Sequence, residues 1–518
     1  MALSANCLKL EKFSRCIRSP QRNRFYSSQN NKKGIVLGVY NEKSENENKL
    51  VLTPASEKFN ELSQGKLLSN LKFVESEIKE GKSFVFWGLH EDYQAVAITG
   101  LGEKNKKFNP LELIDSKKET IRLAAAAGCA ALKNAGLKNI SVESLGDAEA
   151  SAEGSILGTW KFQEYKTKKD DIPQVNICLE NATEKDNWNR GVIKANAQNL
   201  ARKLADTPSN LLTPTIFSQQ IAEILRSENI KIEVHDQEWA KKEEMNAFLS
   251  VSKGSVEPPK FLELTYNKGQ NEKPYVLVGK GVTFDAGGIS IKPSTSMDHM
   301  RADMGGAASV TATLYAVDKL QIPVNLKVLI PLVENMPSGS AIKPGDVIKA
   351  KNGKTICVDN TDAEGRLILA DALSYSSKFS PKWVLDIATL TGAMSVALGS
   401  GATGVFTNSD HLFNILQTVS SSTGDRVWRF PLWKHYLDQV AKNDAYDLNN
   451  IGKGRGGGSC TAAAFLKEFV PENTEWLHLD MAGVMGPQPD SSMPYLGKGM
   501  TGRPTRTLIE FIAAQKKM

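Results

Sequence analysis

The chain has 518 residues, 41% of them hydrophobic and 24% charged, the proportions of an ordinary globular protein long enough for more than one packed core. No apolar run reaches the ~18 residues of a membrane-spanning helix, which excludes that class. The formal charge of +6 is concentrated at one end: Lys9, Lys12, Arg15, Arg18, Arg22 and Arg24 against Glu11 give residues 1–28 a net of +5, leaving +1 for the rest and no basic face for nucleic acid.

Residues 1–33 are rich in Arg, Ser and Asn and poor in acid. This composition predicts a mitochondrial transit peptide, and Leu3, Leu8, Leu10, Phe13 and Ile17 would form one apolar helical face. Arg24-Phe25-Tyr26-Ser27 resembles a matrix-protease site cut after Tyr26. The expected destination is the mitochondrial matrix; the alternative is a cytosolic tail on a cytoplasmic protein. The six cysteines form no CxxC and the six histidines no HExxH pair. We read the cysteines as reduced, mostly buried residues of an intracellular compartment, and the composition argues against a zinc site built on His or Cys.

From Gly34 the pattern is globular. Gly34–Tyr40, Ser83–Trp87, Ala95–Gly102 and Val175–Leu179 read as strands, and the Ala-rich Thr120–Asn134 as a helix. Together they predict an N-terminal α/β domain over residues 34–185, whose acids and lysines read as solvated faces. The polar run 181–190 reads as a boundary, a connecting helix follows over 186–205, and Asp206-Thr207-Pro208-Ser209-Asn210 is a turn. Residues 206–518 carry the strongest buried strands: Pro274–Gly279, Asn325–Leu332, Trp383–Thr389 and Trp476–Asp480. Helical segments between them predict a larger C-terminal α/β domain with a mostly parallel sheet covered on both faces, and sites beyond its strand ends.

Polar residues gather where those strands end. Lys280, Asp285 and Lys292 lie in glycine-rich sequence after the first strand, and Asp303 follows in Met300-Arg301-Ala302-Asp303. Charge so close to buried strands demands pairing or a metal. The stretch Asn360-Thr361-Asp362-Ala363-Glu364-Gly365-Arg366-Leu367 joins a predicted strand, Lys354–Val358, to a predicted buried helix, Leu367–Leu373. A non-helical turn lets both carboxylates face one point. Two acids and an Arg there point to a cation site with an anion beside it; a solvated, capped helix start is the plainer reading of Asp-x-Glu alone.

Taken together, Lys280, Asp285, Lys292, Asp303 and the stretch Asn360–Leu367 resemble the leucyl (cytosol) aminopeptidase family of metallo-exopeptidases. Ala388–Ala393, Cys460–Leu466 and Met500–Arg506 extend the likeness over nearly all of residues 34–518. The resemblance implies two divalent ions (Mn²⁺, Zn²⁺ or Mg²⁺): Asp285 and Glu364 bridging both, Asp362 completing the more exchangeable site, Lys280 and Asp303 the tighter one. It implies Lys292 as oxyanion stabiliser and Arg366 as holder of a bicarbonate general base. Lys292, Asp303, Met300, Asn360, Thr389, Leu390, Gly392 and Ala482 would meet a peptide whose α-amine is free and whose first side chain is Leu-like. It also implies a homohexamer. Neither a membrane nor nucleic acid is an expected partner. The family usually has Ser where this chain has Ala286; the missing hydrogen bond is expected to modulate metal affinity. His299, often apolar in the family, reads as a local substitution and not a ligand. A catalytically weak structural or assembly paralogue is the alternative.

Overall fold

The computed structural model describes residues 33–43, 48–178, 182–270, 272–487 and 493–515. Of the expected leader, residues 1–33, all but Lys33 lie outside them, as do Cys7 and Cys16. Among the described residues, Cys129, Cys357 and Cys460 are buried free thiols.

The N-terminal domain is built on a six-stranded mixed sheet. Its strands are β1 (Lys33–Lys43), β2 (Asn48–Leu52), β3 (Ser83–His90), β4 (Tyr93–Gly100), β5 (Asn139–Val142) and β6 (Gln174–Ile177). The order is β3-β4-β1-β5-β6, with β2 also on β1. β1 runs parallel to β4 and β5, β5 parallel to β6, and the β3–β4 and β1–β2 pairs are antiparallel. Alternation explains its two faces: Ile35, Leu37 and Val39 enter one apolar cluster and Val36 the opposite one. Helices α1 (Ser116–Asn134) and α2 (Ala148–Thr159) pack on the Val36 side, their first turns capped by Asp115 and Asp147.

Helix α3 (Ala182–Asp206) is longer than the predicted connector. The polar run 182–190 is its first two turns and not a boundary loop; Trp188 is the one residue there that buries, so solvent-facing turns mimic a linker in sequence. The charged side chains of this domain also depart from the solvated pattern expected. Glu119, Arg122, Glu143 and Glu153 of the N-terminal domain are buried and not solvated. Glu153 accepts from Arg122 Nε and Arg506 Nη1, both at 2.6 Å, and Lys194 Nζ lies 2.5 Å away. These cations come from α1, α3 and a C-terminal helix, so their pairing is invisible in local sequence. Burial would raise the Glu153 carboxyl, but Lys194, Arg122 and Arg506 hold it well below the usual range. Glu153→Ala leaves Arg506 without its carboxylate and weakens the pairing of Arg122, which keeps Glu119, and of Lys194, which keeps Glu149 and Glu510; it is expected to cost about 3–5 kcal/mol in urea unfolding. A loss under ~1 kcal/mol would contradict a structural role for this buried cluster.

The larger domain carries a nine-stranded sheet. In chain order its strands are β7 (Ile230–His235), β8 (Lys260–Asn267), β9 (Tyr275–Gly279), β10 (Gly281–Asp285), β11 (Asn325–Asn335), β12 (Trp383–Ala388), β13 (Thr403–Thr407), β14 (Val427–Arg429) and β15 (Glu475–Asp480). The order is β14-β13-β15-β12-β9-β11-β8-β7, with β10 also on β11. The centre, β15-β12-β9-β11 with β10, is parallel; antiparallel pairs lie toward the edges. β9 and β12 are buried throughout because both faces are covered. Leu277, Leu385 and Leu477 join one core with helices α4 (Gly305–Lys319) and α7 (Thr505–Ala514); Val276, Val384 and Trp476 join the other with α5 (Gly365–Ser376). A short helix, α6 (Gly392–Leu398), follows β12. The parallel strands thus deliver their C-terminal ends, and the loops after them, to one edge.

Candidate metal centre

At that edge the chain sets Lys280 between β9 and β10. Its backbone is tied to β12 and α4: its N–H donates to Ile387 O at 3.1 Å, and Ala307 N–H donates to its carbonyl at 2.8 Å. The side chain is therefore fixed in direction and 2% exposed. Its Nζ lies 2.9 and 2.8 Å from the two Asp303 oxygens, 2.9 Å from Glu364 Oε1, and donates to Thr389 O at 3.0 Å. Glycine is required beside it: a Cβ at Gly365 would lie 2.6 Å from Lys280 Cε.

Asp285 ends β10. Its Oδ1 accepts from Gly287 N–H and Asn335 Nδ2, each at 2.8 Å, and its Oδ2 lies 2.8 Å from Lys292 Nζ. Two donors besides residue 286 hold this carboxylate, so Ala286 leaves it oriented. Gly287, at φ +88°, makes the turn that brings Lys292 back; a Cβ there would sit 2.7 Å from Asp362 Oδ1. Lys292 Nζ is 2.6 Å from that same oxygen.

Asp285, Asp303 and Glu364 offer oxygens that all lie within 4.8 Å of one another, and all three side chains are buried. Four carboxylates, with Asp362, thus face two ammonium groups. Burial raises the pKa of Asp285, Asp303 and Asp362, and repulsion within the cluster adds to it. Burial would lower Lys280 and Lys292, but the carboxylates facing them prevail and hold both above the ordinary lysine value. Glu364 Oε2 is buried with no hydrogen-bonding partner; Asp303 Oδ2 and Asp362 Oδ1 lie near ammonium groups without hydrogen-bond alignment. Clustered hard oxygen donors, in excess of the local positive charge and incompletely satisfied, fit divalent cations.

Arg366, on the first turn of α5, is 7% exposed, and burial pushes its pKa down to about 10. Its Nη1 donates to Asn450 O at 2.6 Å, while Nε has no partner, so the guanidinium keeps donor capacity for an anion.

A cavity of about 330 Å³ opens over these groups. All five expected ligands, Lys292 and Arg366 line it, as do Met300, Thr389, Leu390, Gly392 and Ala482. Asn360 stands apart: its Oδ1 accepts from Asp362 N–H at 2.9 Å and shapes the loop instead of the cavity wall. His299 is 42% exposed on the cavity rim, 3.9 Å from Asp298, and takes no part in the carboxylate cluster. Sequence reasoning missed Asn335, Asn450 and Asp480. Asn335 orients Asp285, Asn450 ties Asp359, Asn360 and Arg366 together, and Asp480 anchors the segment after β12. Asn335 and Asp480 each close an apolar strand with a polar residue, the signal that could have found them.

A buried carboxylate cluster with lysines, at the strand ends of a parallel α/β sheet and open to a cavity with charged and apolar sides, is an arrangement suited to a metal-dependent hydrolase. Family models agree: the cytosol aminopeptidase family catalytic domain matches residues 199–509, and that family's N-terminal domain residues 36–169. The cytosol aminopeptidases of Bos taurus and Homo sapiens are each 52% identical over 484 residues, covering 93% of this chain and 92% of theirs; that of Dictyostelium discoideum is 44% identical over 506 residues, covering 95% and 94%. Among solved structures, the bottromycin maturation enzyme BotP matches at 30% identity and TM-score 0.79, covering 94% of this chain and all of that one; its complex with Mn matches at 0.78. The chain belongs to the cytosol aminopeptidase family and is a metallo-exopeptidase.

Proposed function

We propose that this enzyme hydrolyses the N-terminal peptide bond of peptides with a free α-amine, with preference for Leu-like first residues. The observation that carries the reading is the incompletely satisfied Asp285–Asp303–Glu364 cluster lying between an apolar-walled cavity and two cationic side chains. Asp285 and Glu364 would be shared between two divalent ions, Asp362 would serve one, and Lys280 with Asp303 the other. Held there, such ions supply Lewis acidity toward the scissile carbonyl and the attacking water. Lys280 would ligate only as the neutral amine.

The chain's own groups do the rest. Lys292, cationic and fixed by Asp285 and Asp362, stands ready to stabilise an oxyanion. Asp303, which accepts from Thr389 Oγ1 at 2.7 Å, offers a negative end to the substrate's α-ammonium and thereby selects unblocked termini. Arg366 supplies the charge and spare donors to hold a bicarbonate ion as general base, a role for which the site offers no imidazole among its clustered groups. Met300, Ala302, Met485 and Met500 give the first side chain an apolar, adaptable wall, and Gly392 and Ala482 leave it room.

Chelator-treated protein is expected to lose leucine p-nitroanilide hydrolysis and to regain it with Mn²⁺. Hydrolysis unaffected by chelation would sink the mechanism, and a blocked α-amine hydrolysed equally well would sink the exopeptidase reading. The alternative of a weakly active assembly paralogue draws no support from a ligand set with every side chain kept.

A homohexamer, implied by the family likeness, would give exposed Val396, Trp428 and Trp433 a surface to bury; a monomer by light scattering would overturn it. The basic, acid-poor composition of residues 1–28 supports a mitochondrial destination, and the relatives' designation as cytosol aminopeptidases supports the cytoplasmic alternative. No helix among the described residues is long and apolar enough to cross a membrane. A mature N-terminus at Ser27 supports import; an intact one in the cytosolic fraction overturns it.

A further inference from the structure

Behind the cavity walls lies a fully buried carboxylate that does not line the cavity. Asp480 ends β15 and is paired in the sheet with Ala388, the last residue of β12. Its side chain reaches past the sheet into both segments that follow these strands. Oδ1 accepts from Leu390 N–H and Ala482 N–H, each at 3.2 Å, and from Thr391 N–H at a long 3.5 Å. Oδ2 accepts from the Thr391 hydroxyl at 2.6 Å. Leu390, Thr391 and Gly392 line the cavity from the segment after β12, and Ala482 with Met485 line it from the segment after β15. One carboxylate therefore ties together two segments that line the cavity.

The direction of the bonds follows from proton counting. An ionised carboxylate only accepts, so Thr391 spends its single hydroxyl proton on Asp480. The same oxygen must then accept from Met394 N–H, at 3.1 Å, and from the Ser459 hydroxyl, at 2.7 Å. Thr391 thus caps α6 while chaining Ser459 to Asp480. The sheet does not depend on this chain: the ladder between β12 and β15, extended by Met481 N–H to Ala388 O at 2.8 Å, is made of backbone alone. What the side chains secure is the pair of loops beyond it.

We propose that Asp480, acting through Thr391, is a positioning residue that sets the width of the first-side-chain pocket and hence the preference among N-terminal residues. The proposal rests on the reading that Met300, Thr389, Gly392 and Ala482 receive that side chain. Thr389 lies on the same segment and bonds Asp303 and Lys280, so a displaced segment also disturbs the end where the amine is held.

The test uses full-length, Mn²⁺-loaded enzyme and compares kcat and KM for the leucine and alanine p-nitroanilides. Asp480→Ala and Thr391→Val should each cut the Leu-over-Ala preference in kcat/KM by roughly tenfold or more, chiefly through KM for leucine. Asp480→Asn should keep most of the preference, because its carbonyl can accept from Leu390 and Ala482 while its NH₂ donates to a reversed Thr391 hydroxyl. Thr391→Ser should keep it as well. A purely structural role predicts equal losses on both substrates, and that result overturns the proposal. If Asp480→Ala does not fold, the Thr391→Val and Thr391→Ser pair decides alone by the same criterion. Ala482→Phe narrows the pocket directly. An unchanged preference there overturns the pocket reading and this proposal with it; a changed preference there, with unchanged Asp480 and Thr391 variants, overturns the positioning role only.

Discussion

Glu364→Ala is expected to abolish Mn²⁺-dependent release of leucine, by roughly 10³-fold or more in kcat/KM. Glu364 is 2% exposed, presents one oxygen 2.9 Å from Lys280 Nζ, and keeps the other buried without a hydrogen-bonding partner. Its removal takes away one of three clustered donors and the charge that would be shared between two cations. Lewis-acid assistance is worth several kcal/mol, and each 1.4 kcal/mol is a factor of ten in rate. Glu364→Gln should be nearly as damaging, because shape is retained but the anionic donor is not. Retention of more than a tenth of wild-type activity by either variant, measured with the anilide, would contradict the assignment.

Lys292→Met separates charge stabilisation from metal holding. We expect kcat to fall by roughly 10²–10³-fold, the scale of losing one preorganised oxyanion donor, with KM within a few-fold. Metal affinity should not fall, because Lys292 is the cation facing Asp285 and Asp362; without it those carboxylates have more charge to offer an ion. A variant whose activity returns fully at high Mn²⁺ would show that Lys292 supports metal binding instead.

The site's outline was legible because its parts are local. Asn360–Leu367 is a polar turn between apolar segments, and α5 opens there, at Gly365, as the stretch implied. Lys280 and Asp285 flank glycines that a close-packed turn needs. The supporting residues were not legible, because their meaning lies in distant partners. His478 and Asp480 lie in a strand that reads as buried, but nothing local names their partners: His478 pairs with Asp386 at 2.6 Å and Asp480 with Thr391, each about 90 residues away in sequence. Glu263 similarly disguised β8: a carboxylate mid-strand looks solvent-facing until Lys327 and Tyr375 are seen to donate to it. Helix α3 shows the converse, since its first turns bury only Trp188 and so carry no apolar period.

The central claim is that Lys280, Asp285, Asp303, Asp362 and Glu364 together hold two cations. Diffraction from crystals of the full chain grown with Mn²⁺, collected at the manganese absorption edge, tests it directly. Two anomalous peaks are expected inside this cluster, both within bonding distance of Asp285 and Glu364 oxygens. A single peak, or peaks held by other residues with this cluster left to its two lysines, would contradict it.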